Sequence, residues 1–218
     1  MFPYIIHKIR TLSCIPSQMR NIISSAIPGP PLLHHFRPHR KSAGMIRSIL
    51  IHPDPRLKKL CDPVGEITAD LRKLAADMLD TMYDAPGIGL AAPQVGVTKR
   101  LIVMDCMKAP EAPRPLILFN PAVIWTSDQL VTYEEGCLSI PDQYGDVQRP
   151  DRATVRWIDE QGAAQEESFD GLWATCVQHE IDHLNGKLFI DYLGLMRRQM
   201  ITRKMEKLKR ELAREGRG

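Results

Sequence analysis

Apolar side chains recur three or four positions apart in residues 71–82. Leucines and methionines carry this helical pattern at positions 71, 74, 78 and 82, and Thr68 stands where an N-cap residue is expected. The Pro and Gly that follow residue 84 cannot continue a helix. The pattern therefore predicts an amphipathic helix that begins just after Thr68 and ends near residue 84.

Two further helices are predicted nearer the end of the chain. Residues 172–185 form a helical run between Gly171 and Gly186, and Asn-Gly is a common helix end. From Leu195 onward, apolar residues at positions 201, 205, 208 and 212 share one helical face. Lys and Arg fill the rest of this last helix, which is therefore amphipathic and basic.

Between these helices the apolar residues form short runs that are typical of strands. The runs are 101–104, 116–125, 147–158 and 165–169, with a shorter one at 188–190. The order of helix, strands, helix and helix predicts an α+β domain. We expect antiparallel β-sheets packed around the helix at 172–185.

Composition excludes several classes of protein. Of the 218 residues, 44% are hydrophobic and 25% are charged, which is ordinary for a globular domain. No run of 18 uncharged apolar residues exists, so no membrane-spanning helix is predicted. The five cysteines are scattered without a C-x-x-C pair, which indicates a reducing compartment rather than a disulfide scaffold.

Charge divides the chain into three parts. Residues 1–44 contain six Lys or Arg and no acidic residue, and residues 195–218 contain nine Lys or Arg and three Glu. The remaining 14 basic and 23 acidic residues give the segment 45–194 a charge of about −9. We predict a non-core N-terminal extension at 1–44, a folded domain at 45–194 and a basic C-terminal helix at 195–218.

The N-terminal extension has two interpretations. An acid-free, basic segment is typical of an organelle transit peptide. Alternatively, Met45 is the true start and the upstream residues are a mis-assigned start or a dispensable tail. Under either interpretation these residues are excluded from the predicted fold.

The candidate chemistry begins at residues 179–183, which read His-Glu-Ile-Asp-His. On a helix, His179 and His183 lie one turn apart on the same face and can bind one metal ion. Glu180 can then serve as a general base without binding the metal, as in metal-dependent hydrolases. This short pattern also arises by chance on surface helices. A third ligand is therefore needed to decide between a metal site and a surface helix that carries two histidines.

Three positions compete for the third ligand of a catalytic metal site. One class of zinc peptidase has a third His downstream, but Phe189 stands there, and another class has a Glu near the position of Glu206. Cys137, which follows Glu135 and Gly136, is the stronger candidate, with a buried structural cysteine as the alternative. One thiolate with two imidazoles suits Zn²⁺ or Fe²⁺ better than Mg²⁺ or Ca²⁺.

Residues 87–94 form a second unusual segment, Gly-Ile-Gly-Leu-Ala-Ala-Pro-Gln. They lack the Lys and Ser or Thr of a phosphate-binding loop. We interpret them as backbone that an extended ligand can approach closely, with a tight turn of small packing residues as the alternative.

Three segments together resemble the motifs of bacterial-type peptide deformylases. They are residues 87–94, 135–139 and 178–183, and they occur in the order and spacing of that family. The resemblance covers about residues 45–193, with no departure at a position used for chemistry. It implies a catalytic domain that removes the N-formyl group from the formyl-methionine of new proteins and releases formate.

The resemblance also implies the metal site. Cys137, His179 and His183 would be the ligands, and Fe²⁺ would be the native metal, with Zn²⁺ or another divalent ion able to replace it. Glu180 would act as general acid and base. No other cofactor is implied.

The resemblance further implies how the substrate is held. Gln94 and the backbone N–H of Leu138 would bind the formyl oxygen. The residues expected to contact the peptide backbone are Gly87, Ile88, Gly89 and Gly136.

Helical geometry predicts a pocket for the methionine side chain. Leu172, Thr175 and Cys176 precede His179 by seven, four and three positions, so they share its side of the helix. With Ile88 they could line the pocket, although packing in the core is the alternative.

The basic C-terminal helix suggests a polyanionic partner. In the family that the chain resembles, such an extension is associated with ribosome docking, so we expect contacts with rRNA phosphates. Simple solvation of a charged helix is the alternative.

The expected setting is the bacterial cytoplasm, or an organelle if residues 1–44 are a transit peptide. Two competing functions stay open, a zinc metallopeptidase and a non-catalytic metal-containing module that binds RNA or the ribosome.

Overall fold

The computed structural model describes residues 44–107 and 111–216. Its helices are α1 (Ala69–Asp84), α2 (Gly171–Leu184) and α3 (Leu195–Arg214). Its strands are β1 (Gly89–Ala91), β2 (Leu101–Met104), β3 (Leu116–Thr126), β4 (Leu130–Cys137), β5 (Ile140–Pro150), β6 (Arg152–Ile158) and β7 (Ala164–Asp170). Short 3₁₀ helices span Pro55–Lys58, Ala92–Val95 and Phe189–Tyr192. Within the described residues, no helix is both long and apolar enough to cross a membrane.

The seven strands form two antiparallel sheets. One sheet has five strands in the order β1-β2-β3-β6-β7, and the other is the hairpin of β4 and β5. Strands β6 and β7 pair along their whole length, from Arg152 opposite Asp170 to Ile158 opposite Ala164. The short strand β1 pairs with β2 alone among the described strands, so its other edge has no strand partner.

Strand β2 is buried on both faces because a helix covers each side of it. Successive side chains of a strand point to opposite faces. Leu101 and Val103 pack in a cluster with α1, whereas Ile102 and Met104 pack in a cluster with α2. All four side chains of β2 are fully buried, which explains why this strand is a continuous apolar run rather than an alternating one.

Helix α2 is the central helix of the domain. It contacts β1, β2, β6 and β7 of the large sheet, and it also contacts β5 of the hairpin. The predicted α+β arrangement, with antiparallel sheets around this helix, is therefore confirmed.

The ends of the other two helices also follow the sequence. Thr68 caps α1, since its side chain accepts a hydrogen bond from the backbone N–H of Leu71. Helix α3 begins at Leu195 as predicted and buries Ile201 and Met205 against the hairpin and the segment Phe189–Tyr192.

Two strand predictions were incomplete or wrong, and strand β1 was among the strands that were not predicted. Residues 188–190 do not form a strand, because the Asp191 carboxylate accepts the N–H of Leu188 and starts a 3₁₀ helix there. The run 147–158 is the end of β5 and the whole of β6, which meet at Asp151. Strand β4 and the first half of β5 had no predicted counterpart.

Apart from Gly44, the predicted extension at 1–44 lies outside the described residues.

Candidate metal centre and active site

Helix α2 places three side chains of the H-E-x-x-H segment in the interior. His179 and Glu180 are 6% and 4% exposed, and His183 is fully buried. The two imidazole centroids lie 5.0 Å apart, because residues four positions apart share one face of a helix. This arrangement is that of a buried site rather than a surface helix.

Cys137 reaches the two histidines from the end of β4. The β4–β5 register shifts between Gly136 and Cys137, and such a bulge changes the direction of a side chain. The Cys137 Sγ lies 3.3 Å from the His183 Nε2. The ligand atoms of Cys137, His179 and His183 all lie within 4.8 Å of one another. One thiolate and two imidazoles at this spacing fit a divalent transition metal.

Glu206 does not belong to this site. It is an exposed residue of α3, and the one group of metal-ligating side chains found in the described residues omits it. Phe189, which occupies the position of a downstream His, instead stacks on the His179 ring with centroids 6.5 Å apart.

The structure adds Glu135, which sequence reasoning did not single out. The His179 Nδ1–H donates to the Glu135 Oε2 at 2.8 Å, which leaves the His179 Nε2 available to a metal. Burial alone would raise the pKa of Glu135, but hydrogen bonds from His179 and Arg149 lower it to about 2. The acidic residues directly before Gly136 and Cys137 were the available sequence signal.

The two histidines have different protonation tendencies. Burial lowers the pKa of His183 well below its usual value, so its ring is neutral, the form that binds metals. Burial opposes the charged form of His179 as well, but hydrogen bonds with Cys137 and Glu135 outweigh it and raise that pKa. Metal binding would therefore displace protons from this cluster.

Glu180 lies beside the cluster without belonging to it. Its Oε2 is buried and has no hydrogen-bond partner in the structure. Burial raises the pKa of Glu180 to about 7, so its carboxyl group is poised to exchange a proton near neutral pH. A buried carboxyl with an unused oxygen has the properties of a general acid and base.

A recess next to Glu180 brings together the residues predicted to hold the scissile group. It is lined by Gly87, Ile88, Gly89, Gln94, Gly136, Cys137, Leu138, His179 and Glu180. The Gln94 Oε1 accepts the N–H of Ala91 at 2.8 Å, and the Gln94 Nε2 donates to Ser139 Oγ at 3.3 Å. The same Nε2 lies 3.5 Å from Cys137 Sγ, so the amide is held with its N–H groups beside the metal ligands.

A second recess adjoins the first and contains the residues predicted for the methionine pocket. It is lined by Ile88, Tyr133, Glu134, Glu135, Leu172, Thr175, Cys176, His179 and Glu180. The three residues from β4, at positions 133–135, were not predicted, because that strand was not recognised.

Gly89 lines the first recess and is in close contact with α2. A Cβ at this position would stand 2.4 Å from Glu180 Oε1 and 2.9 Å from Cys176 Sγ. A side chain at this position would therefore displace Glu180, Cys176 or the strand itself. This contact is with the protein's own helix, as the packing alternative for residues 87–94 predicts, and the close approach of an extended ligand stays a prediction.

The sequence profile of the polypeptide deformylase family matches residues 46–199. The chain belongs to the polypeptide deformylase family. As a peptide deformylase, it removes the N-formyl group from the N-termini of newly made proteins. This confirms the predicted function, and neither competing function has support.

Several peptide deformylases are similar to this chain over most of their length. That of Rhizobium meliloti (strain 1021) is 54% identical over 162 residues, which are 74% of this chain and 93% of that protein. That of Mesorhizobium japonicum is 49% identical over 168 residues, or 77% of this chain and 96% of that protein.

Solved deformylase structures share the fold. A crystal structure from Legionella pneumophila matches with a TM-score of 0.72 and 46% identity, over 78% of this chain and 98% of that chain. A peptide deformylase structure from Ehrlichia chaffeensis matches with a TM-score of 0.73 and 36% identity, over 76% and 98% of the two chains.

Proposed function

We propose that deformylation in this chain is carried out by Glu180 beside a divalent cation held by Cys137, His179 and His183. The observation that carries the proposal is a buried carboxyl oxygen without a partner, placed next to three buried metal-ligating atoms. A cation at that position would act as a Lewis acid and make water more acidic.

The residues of the chain would perform the proton transfers. Glu180 would take a proton from the attacking water and deliver it to the amine nitrogen as the formamide C–N bond breaks. The products are formate and a peptide with a free N-terminal amine. Burial raises the pKa of Glu180, which favours a carboxyl group that accepts a proton and then donates it.

Gln94 and the backbone N–H of Leu138 would stabilise the negative charge that develops on the formyl oxygen when water attacks the formyl carbon. Gln94 is preorganised for this role, since its carbonyl oxygen is already held by Ala91. Loss of one such donor typically costs about 10²–10³ in rate.

The substrate would be bound by the edge of β1 that has no strand partner and by the two recesses. Its backbone would lie along β1 at Gly89, near Gly87, Ile88 and Gly136. Its methionine side chain would enter the second recess, against Leu172, Thr175 and Cys176.

The role of Glu180 is tested with Glu180→Gln, which keeps the size of the side chain and removes its base. We expect formate release from a formyl-methionyl tripeptide to fall by about 10²–10⁴, with metal content unchanged. The exposed Glu66 supplies the control Glu66→Gln, which should retain full activity. Near-normal formate release by metal-loaded Glu180→Gln would refute this role.

We further propose that the metal in the cell is Fe²⁺. A thiolate and two imidazoles suit both Fe²⁺ and Zn²⁺, so the donor set alone does not separate them. Anaerobic purification followed by metal analysis and kcat/KM for each metal form tests the proposal. A chain that is isolated with zinc alone, and is fully active with it, would contradict it.

The basic C-terminal helix is proposed to dock on ribosomal RNA. Its outer side exposes Arg203, Lys204 and Lys207 beside the apolar side chains of Met196 and Met200. Because Ile201 and Met205 are buried on the other side, deletion of 197–218 would also uncover the core.

Charge neutralisation is therefore the sharper test of docking. Replacement of Arg203, Lys207 and Arg210 by Gln should weaken ribosome binding and reduce its salt dependence, because each lost phosphate contact lowers the salt slope by about one. Deformylation of a free tripeptide should be unaffected. Unchanged ribosome binding with an unchanged salt slope would refute the proposal.

The domain boundaries and the cellular setting are also proposals. The N–H of Met45 donates to Asp77 Oδ1 at 3.0 Å, and Arg47 pairs with the same carboxylate, which supports a folded domain that begins at 45. Its bacterial relatives support a bacterial cytoplasmic setting, with an organelle as the alternative if 1–44 is a transit peptide. A chain begun at residue 45 should keep full kcat/KM, and loss of activity would contradict these boundaries.

A further inference from the structure

Arg149 is a buried cation that lies behind the metal-ligating cluster. It belongs to β5, and its side chain is only 4% exposed. It lines neither recess next to Glu180, so it does not contact the proposed substrate positions. Its charge therefore needs another explanation.

The guanidinium of Arg149 binds the carboxylate of Glu135 through two parallel hydrogen bonds. The Nε donates to Oε1 at 2.6 Å, and the Nη2 donates to Oε2 at 3.0 Å. The same Oε2 accepts the Nδ1–H of His179 at 2.8 Å. A carboxylate held at both oxygens cannot rotate, so the His179 ring is held with its Nε2 towards the ligand cluster.

A second nitrogen of the Arg149 guanidinium binds Asp182 of α2. The Nη1 donates to Asp182 Oδ2 at 2.8 Å, and the Tyr192 hydroxyl donates to the same oxygen at 2.7 Å. The guanidinium also lies 4.8 Å from the centroid of the Tyr192 ring. Arg149 thereby joins β4, α2 and the segment Phe189–Tyr192, whose Phe189 stacks on the His179 ring.

Burial of this ion pair is poorly explained by stability alone. Replacing a buried ion pair with apolar residues of similar volume is often neutral or stabilising, because desolvation offsets the attraction. The planar guanidinium of arginine instead fixes the relative positions of the groups that it binds. Two bonds to Glu135 and one to Asp182 fix the strand and the helix relative to each other.

We propose that Arg149 is a positioning residue of the metal centre, which orients His179 through Glu135 and anchors α2 through Asp182. The inference rests on the proposed role of His179 as a metal ligand. It predicts that the geometry of the guanidinium, and not only its charge, sets the affinity of the site for metal.

Two variants separate charge from geometry. Arg149→Lys keeps a buried positive charge but loses the planar guanidinium with its paired N–H donors. Arg149→Met removes both the charge and the donors. Zn²⁺ affinity is measured by competition with a chelator, and the absorption spectrum of the Co²⁺-loaded protein reports the ligand geometry. We expect about 10- to 100-fold weaker Zn²⁺ binding and an altered Co²⁺ spectrum in both variants. In the metal-saturated enzyme kcat should fall while KM stays within about twofold, because Arg149 lines neither recess.

Arg47 provides a matched control away from the site. Its Nε and Nη2 both donate to the buried Asp77 Oδ2, at 3.2 and 2.8 Å. Arg47→Met should lower the stability of the fold. Its Zn²⁺ affinity and its Co²⁺ spectrum should be the same as those of the wild type.

The outcomes separate this inference from the proposed function. Wild-type Zn²⁺ affinity and Co²⁺ spectrum in Arg149→Lys would overturn the positioning role and leave the ligand assignment standing. Equal losses of affinity in Arg47→Met and Arg149→Lys would also overturn it, because the effect would then follow from stability. Failure of the wild type to bind Zn²⁺ at all would refute the ligand assignment, and this inference with it.

Discussion

Gly89→Ala is the substitution that tests most directly how closely the substrate strand fits against the helix. The added Cβ would stand 2.4 Å from Glu180 Oε1, whereas real Cβ contacts essentially never fall below 3.0 Å. Either Glu180 or the β1 backbone must therefore move by at least about 0.6 Å. Cys176 Sγ, one turn earlier in the same helix, is also too close to the added Cβ, at 2.9 Å.

The magnitude follows from the displacement. A misplacement of about 1 Å in an active site can cost about 10²-fold in rate, so we expect kcat/KM to fall about 10- to 100-fold, mainly in kcat. Overpacking of this kind typically costs about 1–3 kcal/mol of stability as well. Gly89 does not have a left-handed backbone, so alanine brings a steric contact and no backbone strain.

The assay is formate release from a formyl-methionyl tripeptide, with metal content and urea unfolding measured on the same samples. Gly65→Ala is the matched control, because no atom lies within 4 Å of a Cβ there and its φ is also ordinary. A Gly89→Ala enzyme with full metal content and kcat/KM within threefold of the wild type would refute the reasoning.

Two further predictions concern other parts of the domain. Cys137→Ala should lose both tight Zn²⁺ binding and activity, as measured by chelator competition and formate release; retention of both would exclude the thiolate as a ligand. Asp77 is buried, which raises its pKa, but hydrogen bonds from Met45, Lys73 and Arg47 outweigh burial and lower it. Asp77 therefore contributes stability above its unfolded pKa of about 3.9, and this contribution is lost as pH falls below that value. In urea unfolding, Asp77→Asn should be less stable than the wild type at pH 7 and should lose less stability than the wild type between pH 5 and 2. Parallel pH profiles of stability for the two proteins would contradict this.

The helices of this protein were largely predictable because helix formation depends on neighbouring residues. The cap at Thr68, the end of α1 near residue 84 and the start of α3 at Leu195 all follow local patterns. The apolar run at 188–190 shows the limit of such patterns. Three apolar residues suit a strand or a buried turn equally well, and the capping carboxylate of Asp191 decides between them.

Strand β4 illustrates a different limit. Its second half contains two glutamates and a glycine, which are depleted in strands, yet it pairs with β5 along its length. The propensity of a strand depends on the partner and the face on which it packs. Missing β4 meant that Tyr133 and Glu135 were absent from the predicted site.

The sequence by itself determined what lies within one turn or one motif. His179 and His183 must share a helical face whatever the rest of the chain does, and three motifs in order were sufficient to predict the family. Only the tertiary structure decided what meets this face. The bulge that brings Cys137 to His183, the carboxylate of Glu135 on His179 and the contact of Gly89 with Glu180 join residues 44 to 91 positions apart. Spacing along a chain fixes directions within a helix, but distances between separate elements depend on how the whole core packs.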